Sequence, residues 1–102
     1  MDQREYPRIS LQAEALLSND KGDFRGMLAN LSLGGIYIRT DSAIAVGEAA
    51  EVSFRHDIAN GNAAIKACGS VVRNDGEGIA FRLRRMDVDS FIQLRTLLAR
   101  HS

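Results

Sequence analysis

The chain has 102 residues, which is enough for one hydrophobic core but too few for two. Hydrophobic residues make up 45% of it and charged residues 25%, a balance typical of folded globular domains and unlike that of disordered chains. Thirteen basic and thirteen acidic side chains cancel, so the composition disfavours a general affinity for DNA or RNA.

Few residues are suited to metal binding or to disulfide formation. Cys68 is the only cysteine, and with His56 and His101 it cannot assemble a structural zinc site. No stretch approaches the roughly 18 uninterrupted apolar residues of a membrane span, and the N-terminus lacks the apolar core of a secretion signal. We therefore expect a cytoplasmic protein with no metal, no cofactor and no membrane insertion.

The chain from residue 9 to residue 84 shows the alternation of apolar and polar side chains that is typical of strands packed on a core. A polar arm, residues 1–8, precedes it. Turn signals such as Asn60-Gly61 and Asp75-Gly76 separate the apolar runs and favour hairpins. The pattern predicts a mainly β domain, a small six-stranded antiparallel barrel with strands within residues 9–17, 24–31, 36–38, 51–55, 65–73 and 79–83.

The apolar period changes near residue 87, where large side chains begin to recur every three or four residues. This spacing predicts a C-terminal α-helix over residues 87–101, with Asp87 or Asp89 as its N-cap. The apolar stripe of this helix is expected to close one end of the barrel. It comprises Phe91, Leu94 and Leu98.

Two short motifs stand out from this pattern. Arg4 and Arg8 stand at the two ends of REYPR with three residues between them, and Asn30, Ser32 and Gly35 are the first, third and sixth residues of NLSLGG. In their order and separation they resemble the RxxxR and (D/N)xSxxG motifs of the PilZ domain family, and the resemblance covers nearly the whole chain. It implies a barrel of the split type with a C-terminal helix, and a receptor for the bacterial second messenger cyclic di-GMP.

The residue types suit that ligand. An arginine can fork onto guanine or phosphate oxygens and can stack on a purine, which are the roles the resemblance implies for Arg4 and Arg8. The resemblance also implies that the arm closes over the ligand. Many family members carry one more arginine before the first motif arginine, where this chain has Gln3, so binding of one or of two ligand molecules stays open.

The second motif supplies the contacts expected to give specificity. Asn30 can read a guanine edge through its amide, and the Ser32 hydroxyl can bond to base or phosphate. Gly35, helped by Gly34, is expected to permit a positive φ and to let a flat base approach the backbone. Arg39, on the next strand, is also a candidate, since it either faces the ligand or covers the barrel exterior.

The leading interpretation is a non-enzymatic module that binds cyclic di-GMP and signals to an unidentified effector protein. In the PilZ family such signals concern motility, biofilm formation or exopolysaccharide production. One alternative is a protein-interaction module that does not bind the nucleotide, although both motifs are intact. Another is a barrel for single-stranded nucleic acid, which the lack of Trp and of net charge disfavours. Catalytic constellations are not evident in the sequence.

Overall fold

Six antiparallel strands and one helix form the part of the chain that the computed structural model describes, residues 9–42, 44–58 and 61–101. The strands close into a barrel in which every strand has a neighbour on both sides. The prediction of a six-stranded antiparallel barrel with a C-terminal helix is confirmed. The elements are β1 (Ile9–Asn19), β2 (Gly22–Leu31), β3 (Gly35–Arg39), β4 (Ala49–Ile58), β5 (Gly61–Asn74), β6 (Gly78–Met86) and α1 (Val88–His101), and the strand order is β1-β2-β3-β6-β5-β4.

The barrel closes through pairing between segments that are distant in the chain. β1 pairs with β2 and also, over residues 15–18, with β4. β3 pairs with β6, so the segment between β3 and β4 has to pass from one side of the barrel to the other. Ile44 anchors this segment, because its side chain is only 1% exposed and its carbonyl accepts a hydrogen bond from Asn74 Nδ2 at 3.0 Å.

The core fills the barrel interior with the side chains that alternate inward along each strand. Each large apolar side chain buried there contributes about 1.5–3 kcal/mol through removal of its surface from water. The largest fully buried side chains are Leu17, Leu28, Leu31, Ile36, Ile38, Ile44, Val52, Val71, Ile79, Phe81 and Leu94. Since neighbours of these residues point outward, the outer face of β2, β3 and β6 is available for other tasks.

Two tight turns have the geometry that their sequences predict. Gly22 follows β1 with a φ of 134°, and Gly76 lies between β5 and β6 with a φ of 88°, values that favour glycine. Asp75 Oδ1 accepts the amides of Glu77 and Gly78 at 3.0 and 2.9 Å, which fixes the second turn. Residue 60 of the Asn60-Gly61 signal lies outside the described residues.

The helix begins as predicted, but its buried face differs from the prediction. Asp87 is the N-cap, since its Oδ1 accepts the Ser90 amide at 2.6 Å. Leu94 and Leu97 are buried in the core, whereas Phe91 is 42% exposed, so its assignment to the barrel plug is wrong. The apolar stripe of α1 is wider than the end of the barrel, so part of the stripe stays exposed. Among the described residues no helix has the length and apolarity to span a membrane.

Candidate ligand-binding site

The second motif lies on the outer face of the barrel, where pairing of neighbouring strands aligns four residues in one row. Ser10 of β1 pairs with Asn30 of β2, Asn30 pairs with Tyr37 of β3, and Tyr37 pairs with Ala80 of β6. Tyr37 faces outward because its neighbours Ile36 and Ile38 are fully buried. The row is therefore a surface of small and polar side chains, bounded by the tyrosine ring.

Two irregularities in strand pairing shape the surface beside this row. The β1–β2 register shifts between Ser10 and Ala13, and the β2–β3 register shifts between Leu28 and Asn30. Such bulges bend a strand and change the direction of the side chains next to it. They border an outer groove of about 280 Å³ lined by Ser10, Leu11, Gln12, Met27, Leu28, Ala29 and Arg39.

Asn30 carries an unsatisfied buried acceptor. Its Oδ1 atom is buried and has no hydrogen-bond partner among the described residues. An acceptor left without a partner in this way costs about 1–3 kcal/mol, and native proteins carry few of them. A ligand with N–H donors would satisfy this atom.

Ser32 organises the loop that joins β2 to β3. Its side chain is 6% exposed, and its Oγ accepts the amides of Gly34 and Gly35, each at 3.2 Å. The same hydroxyl donates to the Gly35 carbonyl at 3.3 Å. These bonds use the whole donor and acceptor capacity of a hydroxyl, so in the described structure Ser32 positions the loop. Its direct contact with a ligand stays a prediction.

Gly35 is required for a different reason than expected. Gly35 does not have a positive φ; the positive values belong to Gly22, Gly47 and Gly76. Instead, a Cβ atom on Gly35 would lie 2.9 Å from the carbonyl oxygen of Phe81 on the paired strand. The Gly34 carbonyl accepts the Leu83 amide at 3.0 Å, which ties the loop to β6.

Two arginines border the row on β3 and β6. Arg39 is exposed at the end of β3 and lines the outer groove. Arg82 is exposed on β6 and pairs directly with Gly35 of β3. Neither arginine has an ion pair within the described part of the chain. Arg4 and Arg8 lie outside the described residues.

Tyr37 is held in place by a carboxylate from the β5–β6 turn. Its hydroxyl donates to Asp75, at 2.8 Å to Oδ2 and 3.0 Å to Oδ1. This bond raises the pKa of Tyr37 above its usual value of 10.0 and lowers the pKa of Asp75 below its usual 3.8. Gly78 makes room for the ring, since a Cβ there would lie 2.7 Å from the tyrosine oxygen.

Sequence reasoning placed Asn30 on a strand and Ser32, Gly34 and Gly35 at the bend that follows it, whereas Arg82 belongs to neither motif. The structure brings Asn30, Gly35 and Arg39 to the same outer face as Tyr37. Arg82 reaches that face only through the pairing of β3 with β6. No motif links residues so far apart in the chain, and the closely spaced Arg82, Arg84 and Arg85 are the sole signal in the sequence.

Comparison with known families and structures gives a consistent result. The family model described as the PilZ domain matches residues 2–100. A search of curated proteins found no match.

Among solved structures, the chain is similar to the Bacillus subtilis inhibitor of motility MotI (DgrA), with 18% identity and a TM-score of 0.82. That alignment covers 98% of this chain and 51% of MotI, so the chain spans about half of that protein's length. It is also similar to the PilZ domain of Escherichia coli YcgR with c-di-GMP, with 18% identity, a TM-score of 0.70 and coverage of 98% and 92%. The PilZ domain of CeSA from a cellulose-synthesizing bacterium matches with 15% identity, a TM-score of 0.68 and coverage of 91% and 95%. At these identities the likeness shows the fold.

Proposed function

Since the chain belongs to the PilZ domain family, we propose that it is a non-enzymatic receptor that binds cyclic di-GMP on the outer face of β2, β3 and β6. Its family and its structural likeness to MotI and YcgR point to c-di-GMP-related regulation. The proposal goes further than this. It states that this chain binds the ligand, which residues contact it, and that binding is relayed as a signal.

The unsatisfied Oδ1 of Asn30 is the observation that carries the proposal. Guanine presents two adjacent N–H donors on its Watson–Crick edge, and a carbonyl oxygen accepts from them. Adenine presents a donor beside an acceptor on the same edge, so it fits this oxygen less well. Since this oxygen is buried, a guanine base can reach it only if neighbouring groups move when the ligand binds.

The charges around the site suit the two phosphates of the ligand. Arg39 and Arg82 are exposed and without ion pairs among the described residues, so their guanidinium groups are available to an anion. By family resemblance, Arg4 and Arg8 contribute two more cations from the chain that precedes β1. Ordering of that arm over the ligand would then present a changed surface to an effector protein.

The test is isothermal titration of the protein with cyclic di-GMP, with cyclic di-AMP as the ligand control. We expect saturable binding of the guanine ligand and a loss of at least about tenfold in affinity for Arg8→Ala and for Arg39→Ala. Arg100→Ala is the matched control, because it removes the same charge from the last turn of α1, outside the strands that form the site. Absence of saturable heat with the unmodified protein would overturn the proposal and favour the interaction module without nucleotide binding.

A further inference from the structure

A second groove lies where the loop after β2, the end of β6 and the first turns of α1 meet. Its volume is about 420 Å³, at the small end of the roughly 300–1,000 Å³ typical of ligand pockets. It therefore has room for a few side chains rather than for a folded domain. The lining residues are Leu33, Leu83, Arg84, Arg85, Met86, Asp87, Val88 and Phe91.

The helix side of this groove exposes apolar surface that the core does not use. Val88 is 73% exposed and Phe91 42% exposed, because Leu94 and Leu97 occupy the face of α1 that covers the barrel. Leu33, Leu83 and Met86 form the opposite wall and are partly buried against the core. Clustered apolar surface of this kind, rimmed by charged residues, is typical of a site that binds another protein.

The rim of the groove is positive. Arg84 and Arg85 line it, and the guanidinium of Arg95 lies 5.9 Å from the centre of the Phe91 ring. The carboxylate of Asp87 is engaged by the helix, since it accepts the Ser90 amide, and this bond holds its pKa below the usual 3.8. The side chain of Arg85 has no hydrogen bond or ion pair among the described residues, so its guanidinium is available to a carboxylate.

We infer that this groove docks a short acidic segment of a partner protein, with one or two large apolar side chains inserted between Leu33 and Phe91 and carboxylates paired with Arg84 and Arg85. Apolar anchors surrounded by complementary charge supply most of the affinity in small interfaces. The concave shape, formed by three elements, suits an inserted side chain better than a flat lipid surface. This docking does not depend on binding of the dinucleotide.

The groove is also connected to the loop of the ligand-binding site. Leu33 lies between Ser32 and Gly34, and the Gly34 carbonyl accepts the amide of Leu83, which belongs to the same wall of the groove as Leu33. A ligand that shifts this loop would move one wall of the groove. This coupling between ligand binding and the groove rests on the proposed function, whereas the docking inference rests only on the residues that line the groove.

The experiment is selection of a random peptide library, with peptides about twelve residues long, against the unmodified protein without nucleotide, followed by fluorescence polarisation of the enriched peptides. Phe91→Arg removes an apolar wall of the groove and places a positive charge there. Ile92→Arg is its matched control, since Ile92 is 55% exposed on the same helix but does not line the groove. Arg85→Glu reverses the rim charge, and Arg100→Glu is its control. Thermal melting checks that each variant is folded.

We expect enriched peptides that combine Asp or Glu with a large apolar residue, and at least about tenfold weaker binding to Phe91→Arg and to Arg85→Glu. Both controls should stay within about twofold of the unmodified protein. If Phe91→Arg does not fold, Arg85→Glu decides the result alone, because its side chain is exposed at a strand end.

Three results would overturn the inference. One is no enrichment, or enriched peptides without acidic residues. Another is equal loss of binding in a variant and its control. The third is evidence for a different occupant of the groove. Such evidence would be dimerisation in ultracentrifugation, or binding to vesicles with anionic lipid, if Phe91→Arg abolishes it. Titration with cyclic di-GMP is a separate readout, so failure of peptide binding and failure of nucleotide binding are distinguishable.

Discussion

Replacement of Asn30 by Leu should separate stability from ligand binding. The substitution removes the buried Oδ1 that has no partner in the described structure and puts an apolar group of similar size in its place. An acceptor left without a partner costs about 1–3 kcal/mol, and the lower end of that range is used here. We expect the free protein to become more stable by about 1 kcal/mol, which for a domain of this size raises Tm by about 4–8 °C.

The same replacement should weaken binding of cyclic di-GMP by at least about tenfold, because the acceptor for the guanine donors is gone. Asn30→Asp keeps an acceptor and should retain most of the affinity. Chemical unfolding and isothermal titration measure the two effects on the same samples.

Asn19→Leu is the matched control for the stability effect. The amide of Asn19 has partners, since Oδ1 accepts the Lys21 amide at 2.9 Å and Nδ2 donates to the Ala49 carbonyl at 3.3 Å. Its replacement should therefore destabilise the domain by about 1 kcal/mol and leave nucleotide affinity unchanged. The reasoning about Asn30 is refuted if Asn30→Leu destabilises the protein as much as Asn19→Leu does, or if it binds cyclic di-GMP normally.

Three further predictions concern the residues around Asn30. Gly35→Ala should destabilise the domain by about 1–3 kcal/mol in urea unfolding, because its Cβ would lie 2.9 Å from the Phe81 carbonyl oxygen; an unchanged midpoint would contradict this. The lowered pKa of Asp75 means that its contribution to stability is present above its unfolded-state pKa and is lost as the pH falls through the folded-state value. Tyr37→Phe should therefore flatten the decrease in Tm between about pH 5 and pH 3, and a slope equal to that of the unmodified protein would argue against the bond. Arg82→Glu should weaken binding of cyclic di-GMP by about tenfold and reduce its dependence on salt, whereas full affinity would place this arginine outside the site.

Much of the fold could be predicted from local patterns. The alternation from Ile9 to Leu17 predicts a strand with one buried face, and Asp75-Gly76 predicts the turn at which a positive φ is observed. Asp87 was one of two predicted caps, and the geometry selects it. These features depend on neighbours within a few residues, so the chain itself specifies them.

The choice among equally apolar residues could not be predicted in the same way. The spacing in α1 shows a wide apolar stripe but not which part of it meets the barrel. Phe91 and Leu94 were both assigned to the core, but Leu94 is buried there together with Leu97, whereas Phe91 is not. The barrel end has a limited area, and its shape is set by the curvature of strands far from the helix in sequence. The exposed Phe91 is the result.

The candidate site shows the same division. The two motifs indicate a family and a ligand, and Ser32 and the glycines were recognised from their spacing alone. Tertiary structure decided what each residue does: Gly35 is needed because β6 passes close to it, and Ser32 holds the loop through three hydrogen bonds. It also placed Arg82 opposite Gly35. Local periodicity determines which segments become strands. Strand order and register depend on the closure of the whole barrel, because each strand must pair with a neighbour on both sides. Only that closure assembles the surface around Asn30.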